Sequence, residues 1–110
     1  MLDIENEKIK RLDGLARSAI NHWGADKQFA QAEEEAIELA LELVRIRRNR
    51  QDWDAILEEA VDVYIMATEI FILFGPEKVN EMLDKKLDKF DAALKKSIQA
   101  KVDSIMSIQI

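Results

Sequence analysis

The chain of 110 residues contains no cysteine, one proline, three glycines and a single histidine. Without cysteine there is no disulfide, no thiolate metal site and no thiol nucleophile, and the choice fits a reducing compartment. With one histidine, His22, and alanine three residues before it, the paired Glu-x-x-His motifs of a carboxylate-bridged di-iron bundle are absent. Acidic residues outnumber basic ones by 22 to 16, for a net charge of -6. That balance opposes a phosphate-tracking surface, so no nucleic acid polymer is expected as a partner. No run approaches the roughly 18 apolar residues of a membrane span, and the first residues, MLDIENEKIKRLD, lack the apolar core of a signal peptide. The expectation is a soluble cytoplasmic protein with no membrane partner.

What is present is helical patterning. Glycine and proline are too few for a turn-rich fold, and β-branched residues are scattered rather than alternating. The expected fold is all-α: a bundle of about four helices, completed by homo-oligomerisation into a dimer or tetramer. A first helix is expected over Ile4 to Asn21, stopped by Gly24. A second starts at Ala25 or Asp26 and ends among Arg45, Arg47, Arg48 and Arg50, whose charges suit the negative end of a helix dipole. Asp52 is a natural N-cap for a third, along which Trp53, Tyr64, Phe71 and Phe74 are expected to be core. Gly75-Pro76 ends that helix and opens a fourth, with Val79, Leu83, Leu87, Phe90, Leu94 and Ile98 at three- and four-residue steps. The pattern continues through Val102 and Ile105, and Ile105, Met106, Ile108 and Ile110 either join an interface or fray. The whole chain, 1–110, is expected to be one domain: an N-terminal helix (1–22), a helical core (25–98) and a C-terminal extension (99–110).

The chemistry lies in the acids. Glu35 and Glu38 on the second helix, and Glu59 and Asp62 on the third, are each three apart and share a helix face. Both pairs border apolar stripes and should therefore face another helix. Four carboxylates brought together uncompensated would cost several kcal/mol per buried ion. A hard divalent cation, Mg²⁺ or alternatively Mn²⁺, removes that objection, because it takes oxygen ligands and leaves positions for water and phosphate. Taken singly, a helical glutamate is ordinarily solvated, and Glu81 with Asp84 on the fourth helix has the same spacing by chance. The joint pattern EExxE (Glu34, Glu35, Glu38) followed by ExxD (Glu59, Asp62) is more specific.

With those residues the chain resembles the MazG-like, all-α nucleoside triphosphate pyrophosphohydrolases, whose signature is EExxE, a spacer, then ExxD. The stretch Gln28 to Leu39 is similar to the block of short phage and bacterial members, Ile56 to Met66 to their IxEExxDVxIM block, and Lys85 to Lys89 to their KLxR segment. Lys89 stands where many members carry Arg. The resemblance covers about Trp23 to Leu94. It implies Mg²⁺-dependent cleavage of a nucleoside triphosphate, ribo or deoxy, between the α and β phosphates, giving monophosphate and pyrophosphate. Glu35, Glu38, Glu59 and Asp62 would hold the metal, and Glu34 would bind a second ion or assist the attacking water. Lys86 and Lys89 are candidates for the pyrophosphate. Trp23, Gln28 and Trp53, with His22, are candidates for the base. The competing expectation is a non-catalytic helical oligomerisation or adaptor module that retains the fold.

Overall fold

A computed structural model describes residues 2–108 and is all-helical, with four helices and no strand among them. Helix α1 spans Asn6–Trp23, α2 Ala25–Ile46, α3 Trp53–Phe74 and α4 Pro76–Ile108. The chain divides into two compact units, one ending at Phe74 and one beginning at Gly75.

In the first unit, each helix end has a local cause. The Gly24 N–H donates to the Ile20 carbonyl at 2.9 Å and closes α1, while its own carbonyl accepts from Gln28 N–H at 3.2 Å and opens α2. One residue serves both ends because its backbone, φ +88° and ψ 155°, lies in a region that only glycine occupies without strain. At the end of α2, Asn49 takes a left-handed conformation, φ +54°. Its N–H bonds to the Ile46 carbonyl, and the Arg50 N–H reaches back to Arg45 at 3.0 Å. These are the two hydrogen bonds of a Schellman motif, with Asn in the place glycine usually takes. The arginines in and beyond the last turn add charge, but the stop itself is made by Asn49. At the start of α3, Asp52 Oδ1 accepts the Ala55 N–H at 3.2 Å, as an N-cap should.

Helix α2 packs chiefly against α3, and α1 lies against both. Residues paired across the α2/α3 seam step in opposite directions along the chain, 28 with 69, 35 with 62 and 38 with 59, so the two helices run antiparallel in one register. Among the described residues the buried apolar ones are Ala16 on α1 and Met66 on α3. Trp53, Tyr64, Phe71 and Phe74, expected in the core, are instead exposed, Trp53 by 65% and Phe74 by 59%. The reason is that α3 is apolar nearly all round, whereas α1 and α2 cover one side of it.

In the second unit, α4 runs unbroken for 33 residues. Gly75, at φ +92°, accepts the Val79 N–H at 3.2 Å, and Pro76 takes the first helical position, where its missing N–H costs nothing. The tail expected either to join an interface or to fray is helical through Ile108, with Ile105, Met106 and Ile108 exposed; Ile110 lies outside the described residues. Lys95 bonds to Asp91 at 2.9 Å and Gln99 to Asp103 at 2.8 Å, so the polar face is tied by pairs one turn apart. No helix is long and apolar enough to cross a membrane among the described residues.

Candidate metal centre and adjoining groove

The antiparallel register places the two acidic pairs opposite each other. One carboxylate oxygen from each of Glu35, Glu38 and Glu59 lies within 4.8 Å of the other two. Glu38 is at hydrogen-bonding distance of Glu59, and Glu35 of Asp62. Glu35, Glu59 and Asp62 turn into the seam and are half-buried, while Glu38 sits at its edge, open to solvent. Glu33, Glu34 and Glu58 are exposed; Glu34 lies one turn before Glu38, on the same side of α2.

No ion pair to lysine or arginine compensates these acids among the described residues. The single polar support is Gln31, whose Nε2 donates to Glu35 Oε1 at 2.8 Å and holds that side chain in place. Glu35 Oε2 and Glu59 Oε2 are shielded from solvent and receive no hydrogen bond. The carboxyl groups respond as expected. Desolvation raises the pKa of Glu59, and Glu38, Asp62 and Glu35 push it further the same way. Desolvation also raises Asp62, with Glu35 adding to it. Orphaned, half-buried oxygens from two rigid helices are what a small hard cation would complete, so this donor set fits Mg²⁺ or Mn²⁺.

A pH dependence follows. Glu59 and Asp62 have higher pKa values in the folded chain than in the unfolded one, and so does buried Glu69. At these three positions the metal-free fold therefore holds protons more tightly than the unfolded chain. The stability that these three groups contribute is fully present below the ordinary carboxylate values of about 4 and is lost as pH rises through their raised folded values. In chelator, the urea midpoint is expected to increase as pH falls from neutral toward the ordinary carboxylate range of about 4. A midpoint that drops across that window would show that the carboxylates do not repel.

Two polar residues of this seam were not anticipated. Glu42 lies seven residues after Glu35, with its Oε2 shielded and unpartnered and its Oε1 accepting from Arg45 at 2.6 Å. Glu69 lies seven after Asp62 and is 3% exposed. Its partner is Gln28, seven before Glu35 and 6% exposed. The Gln28 amide, turned so that Nε2 faces the carboxylate, donates to both Glu69 oxygens, at 2.6 and 3.0 Å. The signal that finds these residues is the two-turn interval from the recognised acids, since positions seven apart on a helix share a face.

Gln28 and Glu69 open onto a groove of about 730 Å³ between α1, α2 and α3, which also reaches Glu35. Its volume lies in the range of small-molecule sites. The walls are mainly apolar, from residues such as Leu12, Leu15, Ile65 and Met66. Of the expected base-binding residues, Trp23 and Gln28 line this groove. His22 lines it as well and meets Trp23 edge to face, with ring centroids 5.4 Å apart. Trp53 lies outside it, at the far end of α3 from Glu69. Lys86 and Lys89 are on α4 in the other unit, both exposed.

No family model matches the chain, and neither the curated proteins nor the solved structures compared with it yield a match.

Proposed function

We propose that this chain is a divalent-metal-dependent pyrophosphohydrolase that converts a nucleoside triphosphate to the monophosphate and pyrophosphate. The observation that carries the reading is the meeting of Glu35, Glu38 and Glu59 within 4.8 Å across two helices, with no basic residue paired to them. Such a cluster weakens the apo fold, and a bound cation repays that cost with phosphate chemistry. Glu35, Glu38, Glu59 and Asp62 would hold Mg²⁺, with Mn²⁺ as the substitute. When bound, the ion supplies neutralisation of phosphate oxygens and a more acidic water. Gln31 keeps Glu35 oriented through its 2.8 Å hydrogen bond, the supporting role typical around metal ligands. Glu34, exposed on the same helix, accepts the proton of the attacking water. The water oxygen bonds to the α phosphorus, and the bond from that phosphorus to the bridging oxygen breaks, so that oxygen leaves with pyrophosphate. The adjoining groove takes the nucleoside.

The exposed apolar face of α3, with Leu57, Val61, Tyr64 and Phe71, supports self-association as part of the same reading. The test is to incubate the purified chain with each common ribo- and deoxyribonucleoside triphosphate, in Mg²⁺ and in chelator, and to measure pyrophosphate and monophosphate together. Equal amounts of both products, formed with Mg²⁺ alone, are expected from at least one substrate. If every substrate survives, the chain is a helical oligomerisation module, a reading that the exposed stripe along α4 would then favour.

A further inference from the structure

We propose that α4 is a dimerisation arm: it pairs, antiparallel, with the α4 of a second copy of this chain, about a two-fold axis that passes near Ala92. The pairing concerns the second unit alone and needs nothing from the hydrolase reading.

The need for a partner comes first. Helix α4 has no buried residue along its 33 residues; Leu83, Leu87, Leu94, Ile98 and Ile105 are half exposed, and Phe90 is exposed by 70%. Helices in proteins owe most of their stability to packing such a face, and a solitary one is marginal in water. The stripe is also well aligned. Leu83, Leu94 and Ile105 recur at eleven residues, as do Val79 with Phe90 and Leu87 with Ile98. An eleven-residue repeat stays close to one side of a nearly straight helix. From Val79 to Ile105 that side runs for about 40 Å, which fits a rod of equal length better than a pocket.

The area is adequate for a stable pair. Half the surface of seven large apolar residues, Leu83 to Ile105, comes to roughly 700 Å² per copy, close to the about 800 Å² per partner of a standard interface.

Direction follows from the sequence. Turned end for end, the stripe meets itself: Val79 falls opposite Ile105, Leu83 opposite Val102, Leu87 opposite Ile98 and Phe90 opposite Leu94, all four pairs centred between 92 and 93. Charge points the same way. From Pro76 to Asp91 five acids stand against four lysines, whereas from Ala92 to Ile108 three lysines stand against Asp103 alone. An antiparallel copy lays the net-negative half on the net-positive half, and a parallel copy lays like on like. Near the axis, Lys95, bonded to Asp91 of its own helix at 2.9 Å, comes beside the second copy's Asp91 as well. Two acids and two lysines then close the centre of the pair.

The test uses the full-length chain without substrate. L87E/L94E is expected to weaken association about 100-fold or more and to halve the mass found by sedimentation equilibrium at micromolar concentration. F71E, on the exposed face of α3, is expected to retain a dimer. Because the chain has no cysteine, K78C and K96C each accept a single spin label, and these exposed positions serve even if L87E/L94E loses its helix. Antiparallel pairing places the labels at 78 about 40 Å apart along the axis and those at 96 about 10 Å apart. Equal separations at the two positions would mean a parallel pair and overturn the proposal. So would a wild-type chain that sediments as a monomer, or a mass unchanged by L87E/L94E. A monomer in F71E would show that α3 of the second copy, not its α4, covers the stripe.

Discussion

Replacing Glu59 by glutamine is expected to lower pyrophosphate release by about 10³-fold, because a metal ligand contributes several kcal/mol of transition-state charge stabilisation and each 1.4 kcal/mol is a factor of ten. Glutamine keeps the shape and removes the charge. The same variant is expected to be more stable than the parent in chelator, since Glu59 is one of three acids meeting within 4.8 Å and its pKa is raised. Opposite signs for activity and apo stability separate a ligand from a structural residue, whose loss would lower both. E81A is the control. Glu81 has the same spacing to Asp84 as Glu59 has to Asp62, but it is an exposed residue on α4, and its removal is expected to leave turnover unchanged. Loss of activity in E81A equal to that in E59Q would sink the assignment.

Addition of Mg²⁺ to the metal-free protein is expected to raise its melting temperature by about 10 °C or more. At a hundredfold excess over the dissociation constant, a ligand specific for the folded state adds about 2.7 kcal/mol, and a domain of 60–100 residues gains about 4–8 °C per kcal/mol. The unit that holds the acids ends at Phe74, so the smaller-domain figure applies. Sodium chloride at matched ionic strength separates coordination from screening. Screening relieves the repulsion among Glu35, Glu38, Glu59 and Asp62 without coordinating them, and partly buried groups are screened weakly. An identical rise with sodium chloride would mean that the acids form no cation site. In E59Q the Mg²⁺ increment should shrink and the starting temperature should be higher.

The helices were legible because their punctuation is local. Gly24, Asp52 and Gly75-Pro76 each act on their own neighbours, and each stands where the reading of the sequence put it. The first helix runs two residues later than expected at both ends, Asn6–Trp23 rather than Ile4 to Asn21, because the closing bond of Gly24 reaches Ile20 and draws His22 and Trp23 into the last turn. Asn49 stands among the arginines that close the second helix, with no glycine or proline beside it. Its left-handed conformation is accessible to asparagine, but nothing short of the backbone geometry shows that it is used.

The half-buried acids at 35, 59 and 62 were legible as inward-facing because their spacing on each helix is fixed by the helical repeat, whereas Glu38, expected to face a helix with them, stays at the open edge. What spacing within one helix cannot give is the register between two. That register pairs 28 with 69, and so gives Glu69 a buried amide partner rather than leaving it a single charge near the end of an apolar helix. The aromatic residues of α3 were misplaced for a related reason. Periodicity shows that a helix is apolar on a side, but when it is apolar all round, the choice of which side meets α1 and α2 belongs to the partners.

The two-turn interval of Gln28, Glu35 and Glu42 along α2 has a consequence for how such a protein could be changed. Leucines at these positions, and opposite them at 62 and 69, would turn the hairpin into an ordinary oily zipper, more durable and chemically mute. Durability is left unclaimed at the very places where it would be simplest to gain.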